Sequence, residues 1–174
     1  MSAMRHAAFL RAVNLGARNK VPMAELRRLF EEAGAEDVRT WIQSGNVVFS
    51  LAKPDAARLE AAIEEELGVR TVVVLRSAAQ LKKLAASHPF GRDTTNSHMA
   101  FFVEKPPASA LRKVAELEIG DNEYEVLGKD VALYYPRGVQ GATLTTAKLE
   151  KILGIQGTAR NWRTVAKLAE LGSS

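Results

Sequence analysis

Val38-Arg39-Thr40-Trp41-Ile42-Gln43-Ser44-Gly45-Asn46-Val47-Val48-Phe49-Ser50-Leu51 reads as a β-hairpin. Residues 38–42 and 46–51 look like strands, with Val38, Thr40, Trp41, Ile42, Val47, Val48 and Phe49 as β-branched or aromatic members, and Gln43-Ser44-Gly45 supplies the tight turn. Upstream, His6 to Val13 is a short apolar run with one charge, which reads as a strand. A turn-like stretch follows, Asn14-Leu15-Gly16-Ala17-Arg18-Asn19-Lys20. Pro22 suits the first turn of a helix, Met23, Leu26, Leu29, Phe30 and Ala33 recur at helical spacing, and Gly34 ends the run. Downstream, Pro54 opens a second helix with Leu59, Ala62, Ile63 and Leu67 inward and Gly68 as its stop; Val72–Leu75 is a fourth strand. The order is βαββαβ, a ferredoxin-like unit.

The second half nearly repeats this order. Ser77 and Gln80 make a capping-box signature for a helix carrying Leu81, Leu84 and Ala85, which ends near His88-Pro89. Met99–Val103 reads as a strand, and Pro106-Pro107 starts a helix with Leu111 and Val114 inward. Tyr124–Leu127 and Val131–Tyr135 form a hairpin about Gly128-Lys129-Asp130. Two helices are expected in place of a last strand, one with Leu149, Ile152 and Leu153, the other with Trp162, Val165 and Leu168 and capped by Thr158. The expectation is an α+β protein of two subdomains. Residues 1–87 form the ferredoxin-like one, and residues 88–174 a related one ending in two helices. The boundary falls in the polar stretch Ser87–Asn96. No clear sequence repeat links the halves.

Composition narrows the setting. The 174 residues are 47% hydrophobic and 25% charged, which excludes a collagen-like, low-complexity or disordered acidic chain. With no Cys there is no disulfide frame, thiolate nucleophile or Cys-ligated zinc. No stretch approaches the ~20 apolar residues of a membrane helix, and Arg11 interrupts the N-terminal apolar run, so the expected setting is cytoplasmic, away from membranes. The net charge of +4 is mild, but from Arg137 onward six basic residues face two acidic ones. That suits an anion.

Topology points to one edge of the first unit. In a βαββαβ sheet the exit of the first strand and the turn between the second and third lie on one rim. This brings Asn14–Lys20 beside Gln43–Asn46. Arg11, Arg18 and Lys20 supply charge there; Asn14, Ser44 and Asn46 supply hydrogen bonds. The helix after Pro22 aims its N–H groups at the same rim. Such a surface suits a small anionic or nucleotide-like ligand. Asn, Ser and Gly in turns also satisfy local backbone groups, so hairpin chemistry is the competing explanation. Arg160, Asn161 and Arg163, at the start of the last helix, are candidates to close the site. Cations there are unfavourable unless a bound anion or a structural salt bridge compensates.

Other motifs carry less. Gly154-Ile155-Gln156-Gly157 lies between two helices as a KH clamp does, yet a helix C-cap followed by a turn explains it better. Phe9 and Phe49 stand where an RNA-stacking platform would need aromatics, but read as packing residues. Nucleic-acid binding by the basic C-terminal helices or the sheet face is the alternative function. His6, His88 and His98 fit no metal-ligand spacing, and no motif nominates a catalytic acid, base or cofactor.

Several segments together resemble a family. They are Phe9-Leu10-Arg11-Ala12-Val13-Asn14-Leu15-Gly16, Lys20-Val21-Pro22-Met23, Gln43-Ser44-Gly45-Asn46-Val47-Val48-Phe49, His88-Pro89-Phe90 and Thr158-Ala159-Arg160-Asn161-Trp162-Arg163-Thr164-Val165. The set is similar, in order and along essentially the whole chain, to the bacterial domain-of-unknown-function 1697 family. The resemblance implies an α+β fold with ferredoxin-like subdomains, and no established activity or cofactor. Ala12 and Ala17 stand where that family commonly has glycine, which argues against a glycine-rich loop wrapped closely on a phosphate.

Overall fold

The computed structural model describes residues 4–14, 19–41, 45–90 and 94–173. Two compact units emerge: residues 1–84 together with 166–174, and residues 85–165.

The first unit contains β1 (Arg5–Leu10), α1 (Met23–Glu32), β2 (Glu36–Trp41), β3 (Asn46–Ser50), α2 (Ala56–Leu67) and β4 (Val73–Ser77). Its strands pair antiparallel in the order β2-β3-β1-β4, the ferredoxin-like arrangement read from the sequence. Helical spacing places Leu26, Leu29 and Phe30 of α1 and Leu59 and Ile63 of α2 against Ala8, Leu10, Val47, Phe49 and Val73 of the sheet. The side chain of Asp55 accepts from Arg58 N–H and caps α2, one residue after the Pro54 at which the sequence reading opens the helix. Ala7 to Leu10 are all buried, so β1 shows a continuous apolar run and no alternation.

α3 (Ala78–Ala86) follows directly and starts with the expected capping box. Ser77 N–H donates to Gln80 Oε1 at 2.8 Å, and Gln80 N–H to Ser77 Oγ at 3.1 Å. The last residues of the chain are tied to this unit: Arg5 Nη2 donates to Leu171 O at 3.3 Å, and Lys167 Nζ lies 5.0 Å from the centre of the Trp41 ring.

The second unit repeats the plan with β5 (Ser97–Phe102), α4 (Ala108–Ala115), β6 (Glu123–Leu127), β7 (Asp130–Tyr134), α5 (Thr146–Leu153) and β8 (Gly157–Asn161). Its order is β6-β7-β5-β8. Both expected C-terminal helices are present, α5 and α6 (Trp162–Ser173), but β8 lies between them and supplies the last strand that seemed missing. Consequently Thr158 sits inside a strand, and Asn161 caps α6 by accepting from Thr164 N–H at 2.8 Å. Ala110 and Val114 of α4 and Leu149 and Leu153 of α5 cover Ala100, Phe102, Val131 and Leu133. Tyr135 is buried and donates its hydroxyl to Leu144 O at 2.8 Å, while Tyr134 is half-buried.

Register exposes a repeat that the sequence alone conceals. His6 lies opposite Ser77 and Ala7 opposite Arg76; His98 lies opposite Asn161 and Met99 opposite Arg160. Each unit thus carries a histidine in its central strand and a buried arginine in its last strand, and each arginine donates from Nη1 to the carbonyl of the preceding residue. The ring nitrogens His6 Nε2 and His98 Nδ1 are buried without a hydrogen-bond partner.

Burial pushes both imidazoles below the ordinary value of 6.5, against an opposing backbone hydrogen bond to Leu51 for His6 and to Asn96 for His98. The unfolded chain therefore takes up these protons first on acidification. Stability is fully present above pH 6.5 and falls as the pH drops from there toward the lower folded values. Urea midpoints between pH 7.5 and 5.5 should decline, and His6→Gln/His98→Gln should flatten the decline. An identical slope in the double variant would refute this cause.

Candidate functional site

The first-unit rim has the expected connectivity. Leu10 N–H donates to Gly45 O at 2.9 Å, so the exit of β1 and the β2–β3 turn are adjacent. Arg11 N–H donates to Val72 O at 2.9 Å, and Thr71 Oγ1 donates to Arg11 O at 2.7 Å, bringing the segment before β4 to the same edge. Lys20 is exposed and Arg11 partly so. Arg18 and Ser44 lie outside the described residues.

The amides at this rim serve the chain itself. Asn14 Nδ2 donates to Val21 O at 2.9 Å while Asn14 Oδ1 accepts from Val21 N–H at 2.7 Å. Asn14 N–H donates to Asn19 O, and Asn19 Nδ2 reaches Ala12 O at 3.1 Å. Asn46 is fully buried and donates to Trp41 O at 3.1 Å across the base of the hairpin. These bonds shape the loops that carry the cations. Lys167, over Trp41 at the end of β2 and paired with Glu170 at 3.6 Å, is a neighbour that sequence reading missed, because 126 positions separate Lys167 from Trp41 and no local pattern links them.

Loop shape has a measurable cost at Ala12, whose φ of +56° is left-handed. A Cβ in that region costs about 1–2 kcal/mol, partly offset in glycine by about 0.5–1 kcal/mol of backbone entropy. Ala12→Gly is expected to stabilise the protein by about 0.5–1 kcal/mol in urea unfolding; a destabilised variant would show that the loop tolerates the methyl without strain.

The C-terminal candidates separate. Arg160 is buried, 8% exposed, and its Nη1 donates to Thr158 Oγ1 at 2.7 Å and Ala159 O at 2.9 Å. Desolvation lowers its pKa to about 10, which leaves it charged at neutral pH. Asn161 and Arg163 are exposed and line a cleft of about 190 Å³ together with Thr94 and Thr95. All four belong to the second unit, whereas the rim residues belong to the first. The threonines lie in the polar stretch Ser87–Asn96 that reads as the subdomain boundary, and only their neighbours across the cleft give them meaning.

Two of the quoted motifs meet beside this cleft. The His88 ring stands edge-on to Trp162, with centroids 4.6 Å apart at 86°, and Phe90 stacks on Tyr134 at 5.7 Å. The family model described as a protein of unknown function, DUF1697, matches residues 4–132. The chain belongs to the DUF1697 family. No curated protein matches it. Among solved structures, the DUF1697 chain is similar to the conserved bacterial protein SP0830 from Streptococcus pneumoniae. The two share 22% identity with a TM-score of 0.75, over 97% of this chain and 98% of the other. At that identity the likeness supports the fold alone.

Other site chemistries find less footing in this DUF1697 member. Phe9 and Phe49 are fully buried, so neither offers a stacking face to RNA. Gly154 is the C-cap of α5, its N–H donating to Glu150 O, as the C-cap reading anticipated. Among the described residues no cluster of three or more His, Asp or Glu could hold a metal ion, and no helix is long and apolar enough to cross a membrane.

Proposed function

We propose that this protein binds a small oxyanion, a phosphate or a carboxylate, in the cleft lined by Thr94, Thr95, Asn161 and Arg163. The observation that carries the reading is Arg163 itself. A cation in the first turn of a helix opposes the helix dipole unless something negative compensates. Among the described residues Arg163 makes no ion pair, and none of those that line the cleft is a carboxylate. Two threonine hydroxyls and a guanidinium with five donors suit an oxyanion. A cleft of about 190 Å³ suits a small group and not a polymer. A cytoplasmic setting belongs to the same proposal.

Titration with inorganic phosphate, followed by calorimetry or amide chemical shifts, should saturate. Arg163→Ala should weaken the affinity about 10- to 100-fold, the worth of a hydrogen bond to a charged group. Unchanged affinity in Arg163→Ala would overturn the site. Binding of short oligonucleotides that falls steeply with salt, with no saturable phosphate binding, would favour the nucleic-acid reading instead.

A further inference from the structure

The two walls of the cleft come from distant parts of the chain. Thr94 and Thr95 lead into β5, while Asn161 and Arg163 flank the first residue of α6. One side chain, His88, touches both arms. Its Nε2 lies 2.7 Å from Oγ of Ser97, which is fully buried at the start of β5 and whose N–H donates to Thr94 O at 3.4 Å. Its ring packs edge-on against Trp162, which sits between Asn161 and Arg163. The imidazole is braced in turn: Phe90 lies 5.9 Å from it at 84° and stacks on Tyr134, which pairs with Ser97 across the sheet.

The fold does not demand this clip. When the units are aligned on His6 and His98, the positions of Ser97, Trp162 and Arg163 correspond to Arg5, Ala78 and Ala79. The first unit builds the same sheet without the serine, the indole or the second-wall cation. We infer that His88 is a positioning residue that sets the spacing between the two walls of the cleft without touching the ligand. The inference rests on the oxyanion reading of that cleft.

His88→Phe keeps an aromatic ring against Trp162 and removes the link to Ser97; Ser97→Ala removes the other end of the same link. Each should weaken binding of inorganic phosphate about three- to tenfold, the worth of one hydrogen bond. The double variant should bind no more weakly than either single variant, because all three break one connection. Amide hydrogen exchange should rise in His88→Phe at 94–97 and 161–164 together, with β1 to β4 unchanged. Unchanged phosphate affinity in folded His88→Phe, or losses that add in the double variant, would overturn the inference while leaving the oxyanion site standing. If the wild-type protein fails to bind phosphate, the oxyanion reading falls, and the exchange experiment decides the clip alone: faster exchange at both arms supports it, and unchanged exchange at either arm refutes it.

Discussion

Gly45→Ala is expected to destabilise the protein by about 1.5–4 kcal/mol, from two independent causes. The first is conformational. Gly45 has φ of +81°, and a side chain in that region costs about 1–2 kcal/mol, offset by about 0.5–1 kcal/mol of glycine's backbone entropy. The second is steric. A Cβ at Gly45 would lie 2.7 Å from Val13 Cγ2 and 2.8 Å from Leu10 Cβ. Leu10 and Val13 are both buried, so neither can swing into solvent, and overpacking of this kind typically costs 1–3 kcal/mol. Retreat of the hairpin tip would also stretch the bond from Leu10 N–H to Gly45 O that joins it to the exit of β1. Gly68→Ala is the control. Gly68 has φ of +67° with no atom beyond its chain neighbours within 4 Å of the added carbon, so it should show only the net conformational part, about 0.5–1 kcal/mol. Urea denaturation of the two variants separates the causes. Equal losses would show that the contact with Leu10 and Val13 relaxes freely.

Gly157→Ala is expected to cost about 2–3 kcal/mol for a steric reason alone, and to weaken phosphate binding as well. Its backbone is not left-handed. An added carbon would lie 2.7 Å from Phe101 O, 2.6 Å from Phe102 Cδ1 and 2.9 Å from Phe102 Cε1. Phe101 O is backbone of the central strand, and Phe102 is fully buried, opposite Gly157 in the β5–β8 ladder. Relief therefore means moving β8, and β8 ends at Asn161, which both caps α6 and lines the cleft. A cavity-making second change, Phe102→Leu, should recover only part of the lost stability, since it removes the ring contact and leaves the carbonyl. Full stability and full phosphate affinity in Gly157→Ala would break the proposed link between this strand and the site.

β8 also shows where pattern reading stops. Gly157-Thr158-Ala159-Arg160-Asn161 offers no alternation of apolar and polar residues, and its buried positions include a threonine and an arginine. Periodicity registers hydrophobic residues, so a strand whose buried face holds hydrogen-bonded polar groups is silent. The cap residue was misplaced for the same reason: once Thr158 lies in a strand, the first residue able to cap α6 is Asn161. The repeat was hidden because the copies share element order and a few matched positions, such as His6 with His98 and Arg76 with Arg160, and these align only after strand register is known.

Local chemistry was enough to set the order of strands and helices in the first unit, the hairpin about Gly45, the capping box at Ser77 and the C-cap at Gly154, because each depends on neighbours a few residues apart. It also indicated that the exit of β1 would meet that hairpin, since βαββαβ connectivity leaves little choice. The fate of each polar side chain was a different matter. Asn14 and Asn46 turned inward to bond their own backbone, while Thr94 and Thr95 came to face Asn161 and Arg163 from some 66 residues away. An amide's partner depends on distances of about 3 Å set by packing and strand register, and those exist only once the chain has closed on itself.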